Sequence, residues 1–139
     1  MRQVRIRPTA DCHRFLALDK RLFPDCDPPE TEGRFWFSGV YKGEHVCYAS
    51  YVLESEGSTA YLERAGVRFD FRGMGLQKKL IKARCNHAKQ QGARIAVTYV
   101  LGWNVASLNS LISCGFKAYR PEDPWLEDST DVVYLWKPL

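Results

Sequence analysis

Along the chain the apolar positions change period several times, and each change marks an element. Val4 to Arg7 alternates apolar and basic residues, which predicts a first strand closed by Pro8. Thr9 or Asp11 can cap a helix with Phe15, Leu16, Leu18 and Leu22 at rough helical spacing, stopped by Pro24. Phe35 to Tyr41, the turn Lys42-Gly43, and His45 to Leu53 predict a β-hairpin, and Thr59 to Val67 a further strand. The period then becomes helical. Leu76, Leu80, Ala83 and His87, flanked by Ile81, Cys85 and Ala88, share one face; Lys78, Lys82, Asn86 and Lys89 share the other, and Gly92 ends the run. Ile95 to Leu101 reads as an apolar strand, Asn104 to Cys114 as a helix stopped by Gly115, and Phe116 to Tyr119 and Val132 to Trp136 as closing strands.

This order, β-α-β-β-β-α-β-α-β-β, predicts one α/β domain over residues 1–139, a mixed sheet of about seven strands with helices on its faces. The unit from Tyr61 to Leu101 is expected to be a right-handed parallel crossover, where a phosphate-bearing ligand is commonly held.

Charge changes the picture. The net value of +4 hides a stretch from Phe71 to Pro121 with nine Lys or Arg and no acid, leaving −5 for the rest. Acids gather at Asp25, Asp27, Glu30 and Glu32, and again at Glu122, Asp123, Glu127, Asp128 and Asp131. Such asymmetry implies an anionic partner on one part of the surface, a nucleotide-like cofactor or a nucleic acid. The five cysteines are scattered without a CxxC pair, and the three histidines complete no zinc pattern, so no metal is expected. No apolar run has the length of a membrane span or of a secretory signal, so a cytoplasmic protein is expected.

The turn Arg72-Gly73-Met74-Gly75-Leu76-Gln77 opens the basic helix. It is not a dinucleotide fingerprint, because Lys78 stands where the third glycine would be, and it is not a nucleotide P-loop. Two glycines at a helix start do expose backbone N–H groups to an anion. Arg72, Lys78 and Lys79 crowd the end at which the helix dipole disfavours cations, an arrangement that suits a bound polyphosphate.

On these residues the stretch Leu62 to Gly92 resembles the acetyl-CoA-binding motif of the GNAT superfamily of N-acetyltransferases, in which Gln or Arg is followed by x-x-Gly-x and then Gly or Ala. Asn104, Ser107 and Leu108 with Gly115-Phe116 resemble the family's next helix and strand, and the element order resembles the GNAT fold throughout. The resemblance assigns the CoA pyrophosphate to backbone N–H groups of Arg72, Gly73, Met74, Gly75, Leu76 and Gln77, beside Arg68, Phe69 and Lys78. It assigns the pantetheine to the strand edge at Val67 and to the side chain of Asn104, with a bulge expected at Gly66 and the N–H near Val67 polarising the thioester; Ser107, near the helix start, can bond to the cofactor or simply pack. Two positions depart from the pattern. Gln77 replaces Gly or Ala, and Leu111 replaces the tyrosine that usually protonates the leaving thiolate.

Transfer to an amine calls for a base, and the resemblance points to Glu63 on the strand leading to the thioester; an ion pair with a neighbour is its structural alternative. Tyr99 and Tyr119 are the candidate proton donors. The two acidic clusters are expected to border the acceptor side and attract a cationic amine, with Trp36, Trp103, Trp125 and Tyr61 as candidate walls. The expected function is therefore transfer of an acetyl group from acetyl-CoA to a primary amine, by a monomer or homodimer that binds neither nucleic acid nor membrane. A silent acyl-CoA-binding module and, with less support, a basic nucleic-acid-binding domain are the alternatives.

Overall fold

A computed structural model describes residues 2–126 and 131–139. Its elements are β1 (Arg5–Thr9), α1 (His13–Leu22), β2 (Phe35–Tyr41), β3 (Glu44–Glu54), β4 (Thr59–Val67), α2 (Leu76–Gln90), β5 (Ile95–Leu101), α3 (Val105–Ser113), β6 (Lys117–Tyr119) and β7 (Val132–Pro138), with a 3-10 turn at Phe69–Phe71. The order is the one the sequence pattern predicts. Pro8 lies inside β1 rather than ending it, paired with Phe37, because β1 is an edge strand and needs no N–H on its outer side. Asp11 rather than Thr9 serves the start of α1, its carboxylate accepting the His13 N–H at 3.0 Å. Lys42 (φ 49°) and Gly43 (φ 79°) form the two-residue left-handed turn that suits the β2–β3 hairpin.

The sheet runs β1-β2-β3-β4-β5-β7-β6. Every neighbouring pair is antiparallel except β4 and β5, which are parallel and pair only at Thr59–Tyr61 with Ile95–Val97. Helix α2 buries Leu76, Leu80 and Ile81 against Tyr51, Ala60 and Leu62 on one face. On the other face Phe15 and Leu18 of α1 pack on Trp36 and Tyr48. Asp19 of α1, 3% exposed, accepts a hydrogen bond from the Tyr48 hydroxyl and pairs with Arg64 of β4 at 2.8 Å. A carboxylate buried this deeply needs both partners.

The bulge expected at Gly66 lies elsewhere. Ala49 pairs with Ala65 and Tyr51 with Leu62, so Ser50 of β3 faces both Glu63 and Arg64 of β4. Gly66 sits in regular register opposite Tyr48, and a Cβ there would lie 2.6 Å from the Tyr48 ring. Its role is close approach. That ring is fully buried and stacked on Phe15 at 5.2 Å, so it has little room to yield. Gly66→Ala is therefore expected to destabilise the fold by about 1–3 kcal/mol through overpacking. Thermal unfolding checks this, and an unchanged Tm would remove the close approach as the reason for glycine.

Candidate active site

The amino-terminal end of α2 carries no side-chain cap and no acid in its first turn. Gly73 (φ 78°) and Gly75 (φ 77°) take left-handed backbone angles, and a Cβ at either would meet open space. The N–H groups of Gly73 through Lys78 have no acceptor among the described residues. A helix end left like this favours an anion by its donors and by its dipole. The Arg72 N–H is not part of this set, since it donates to the Phe69 carbonyl at 3.3 Å. The Arg72 side chain instead bonds the Val67 carbonyl at 3.2 Å and lies over the Phe69 ring, whose exposure is 77%. Lys78 is exposed, Met74 packs on the core, and the Leu76 side chain is buried, so Leu76 can offer a ligand only its N–H. Arg68 is engaged with Asp70 at 2.7 Å and Glu44 at 2.8 Å on the surface.

The departure at Gln77 has a structural answer. Its side-chain amide turns from the helix end toward α3 and donates to Ser107 Oγ at 3.2 Å. Asn104 caps α3, its Oδ1 accepting the Ser107 N–H at 3.3 Å, and its own amide donors stay free among the described residues. Leu111 is 4% exposed and packs in the core, so α3 offers no proton donor at that position.

Beyond Tyr61 and Val97 the parallel strands separate and form a fork. Arg68 donates its N–H to Val46 O at 2.7 Å, which makes that a hydrogen-bonded pair of the β3–β4 ladder. By antiparallel alternation the Val67 N–H then points away from β3, into the fork. Just beyond the last paired residue, Thr98 Oγ1 of β5 donates to the Leu62 carbonyl at 2.8 Å. The arrangement offers an extended chain two strand edges with an unpaired donor at Val67, next to the uncapped end of α2. The residues present fit an acyl-CoA.

Glu63 and Tyr61 share the opposite face of β4, where the first acidic loop and, from the second, Trp125 reach the strand. Arg34 grips the Glu63 carboxylate with two bonds, at 3.0 and 3.3 Å, and also pairs with Glu30 at 3.2 Å. That grip raises the Arg34 pKa above its ordinary range, against the opposing effect of burial. Arg64 reaches the Asp27 carbonyl at 2.9 Å, which ties the first acidic loop to β4. From the second loop Trp125 Nε1 donates to Tyr61 Oη at 3.2 Å, and the Trp125 ring stands 4.5 Å from that of Tyr134. Burial pushes the Tyr61 phenol up to about 12, so it stays neutral at physiological pH. Glu127 and Asp128 of that cluster lie outside the described residues.

The candidate walls divide. Trp125 and Tyr61 line this face, Trp36 is core at 4% exposure, and Trp103 stands out at 70% exposure beyond the end of β5. Tyr99 sits on β5 next to Thr98, paired with Tyr134. Tyr119 is on β6, beyond β7 and β5, so about three strand spacings, roughly 14 Å, separate it from β4. The structure does not bring Tyr119 to the fork. Sequence reasoning missed Arg34, Thr98 and Arg84. Arg84 had a signal, because it stands four residues from both Leu80 and Ala88 in the apolar stripe, and Thr98 interrupts an apolar strand. Arg34 had none.

The sequence profile of the acetyltransferase (GNAT) family matches residues 6–116. A comparison with curated proteins finds no match. Among solved structures, a Klebsiella pneumoniae protein assigned as an acyl-CoA N-acyltransferase is 22% identical, with TM-score 0.77 over 99% of this chain and 98% of that one. A Bacillus subtilis acetyltransferase in complex with CoA is 17% identical, with TM-score 0.75 over 99% of each chain. The ribosomal-protein-S18-alanine N-acetyltransferase of Escherichia coli is 16% identical, with TM-score 0.74 over 96% of this chain and 94% of that one. At these identities the structures establish the shared fold, and the profile match establishes the kinship: the chain belongs to the GNAT acetyltransferase family.

Proposed function

We propose that this chain transfers an acetyl group from acetyl-CoA to a primary amine of a cationic small molecule or peptide. The observation that carries the reading is the β4–β5 fork, with an uncapped, acid-free helix end at its mouth and an acidic, aromatic face beside Glu63. Acetyl-CoA supplies the activated acyl group as a thioester. The N–H groups of Gly73 to Lys78 would hold its pyrophosphate, with Asn104 and the β4 edge along the pantetheine. The Val67 N–H would donate to the acyl oxygen, where charge develops during attack. A saturating amount of acetyl-CoA, about 100 times its Kd, is expected to stabilise the fold by about 2.7 kcal/mol. The rise in Tm is expected to disappear largely in Gly75→Val, which forces a branched residue into a left-handed position. An equal rise in the variant would move the coenzyme elsewhere, and a rise with a short DNA duplex instead would favour nucleic acid.

An alkylammonium has a pKa near 10.4 and must lose its proton before it attacks. A carboxylate offers about four acceptor positions, so Glu63 can keep Arg34 and still receive an ammonium or its water. Tyr99, on β5 at the edge of the fork, would be the donor to the departing thiolate, although a thiol with pKa near 8.5 can leave without one. Glu63→Gln is expected to lower kcat/KM about 10²-fold at neutral pH, in the range of a lost general base. The loss should shrink as pH rises toward the amine's own pKa, where neutral amine no longer needs a base. Full activity of the variant through neutral pH would refute the role.

The Glu30–Arg34–Glu63 group and the aromatic pair Tyr61–Trp125 suit a cationic acceptor. In a thiol-release assay over an amine panel, KM is expected to rise with salt for di- and polycationic amines. A salt-independent KM across the panel would eliminate the electrostatic part. Leu111 favours a second reading, binding without turnover, and absence of thiol release with every amine would support it.

A further inference from the structure

We propose that Arg84 is a positioning residue for acetyl transfer: its buried guanidinium locks the β4 bulge and so fixes the fork and the direction of Glu63. The proposal rests on the acetyltransferase reading above.

Arg84 lies in the apolar stripe of α2 and is 3% exposed. Its Nε donates to the Leu80 carbonyl at 3.2 Å, and its Nη1 donates both to Ser50 O of β3 and to Glu63 O of β4, each at 3.1 Å. Among the described residues no carboxylate pairs with it. Burial lowers its pKa to about 10, which leaves it a cation at neutral pH. A buried cation with no counter-ion is a poor choice for stability, and an apolar residue of similar volume is often equal or better. The position needs donors instead. Ser50, Glu63 and Arg64 are the residues whose ladder the bulge disrupts, and a disrupted, buried carbonyl requires another partner. A guanidinium is planar and rich in N–H, so one side chain can serve both strands and its own helix.

The consequence reaches the reacting groups. With the bulge held, Glu63 and Arg64 both turn to the acceptor face, where they meet Arg34 and Asp19. Alternation alone would send one of them into the α2 core. Thr98 secures the adjacent Leu62 carbonyl from the β5 side, so the branch point of the fork is pinned from two elements. The same helix begins at the anion-binding turn, about 12 Å from Arg84 at 1.5 Å per residue.

The test uses the whole chain as wild type, Arg84→Met and Arg84→Lys. Arg84→Met keeps length and apolar contact but has no donor. It is expected to retain the acetyl-CoA thermal shift and the acetyl-CoA KM within about twofold, while kcat falls at least about tenfold. Arg84→Lys, which can still reach one carbonyl, should recover part of that kcat. Native hydrogen exchange should quicken at the amides of Leu62 to Ala65 in Arg84→Met and less so in Arg84→Lys. A kcat within about twofold of wild type, or unchanged exchange in that segment, would overturn the proposal. If Arg84→Met does not fold, Arg84→Lys is read against wild type on the same two measurements, with the same outcomes. If the wild type acetylates no amine, the acetyltransferase reading fails, and hydrogen exchange still decides the role of Arg84.

Discussion

Pairing between β4 and β5 stops after Tyr61 and Val97, although both strands continue, and much of the structure is arranged around the backbone groups left over. A strand inside a sheet cannot leave polar groups buried and unpaired without a cost near that of a lost hydrogen bond. Thr98 takes the Leu62 carbonyl and Arg72 the Val67 carbonyl, and at the adjoining β3–β4 bulge Arg84 takes the Glu63 and Ser50 carbonyls. These side chains come from β5, from α2 and from the turn between β4 and α2. The opening is thus kept by groups distributed over the crossover that makes it.

The two ends of α2 and its middle serve different purposes. The amino-terminal end forgoes the usual stabilising devices, with no cap and no acid in the first turn, and keeps its N–H groups unpaired among the described residues. The middle accepts a buried cation to hold a bulge. The last turn is conventional, with His87 and Lys89 on the favourable side of the dipole. Local choices that disagree with stability fall at the fork and the turn beside it, as expected where function competes with packing.

Opposite polarity marks the other side of β4. Two acidic loops, distant in sequence, reach the same face through Arg34 and Arg64 on one side and Trp125 on the other. Among the described residues, Arg64 and Arg34 tie the first loop to β4, and Trp125 ties the second. Glu63 is held in an ion pair with Arg34, and a carboxylate so paired keeps acceptor positions for the base role proposed for it.

Sequence alone determined the element order, the helical face of α2 and the uncapped glycine turn. Periodicity and glycine placement are local properties, set by residues a few positions apart. It also showed the charge division, which needs no coordinates. What the tertiary structure decided was position across strands: the bulge at Glu63–Arg64 rather than Gly66, Trp36 in the core, and Tyr119 three strands from the fork. It also decided that Gln77 faces Ser107 and that Arg84, one of nine cations in an acid-free stretch, lies inside the protein. These facts depend on register and on partners about 20 to 40 residues away, which no local pattern encodes.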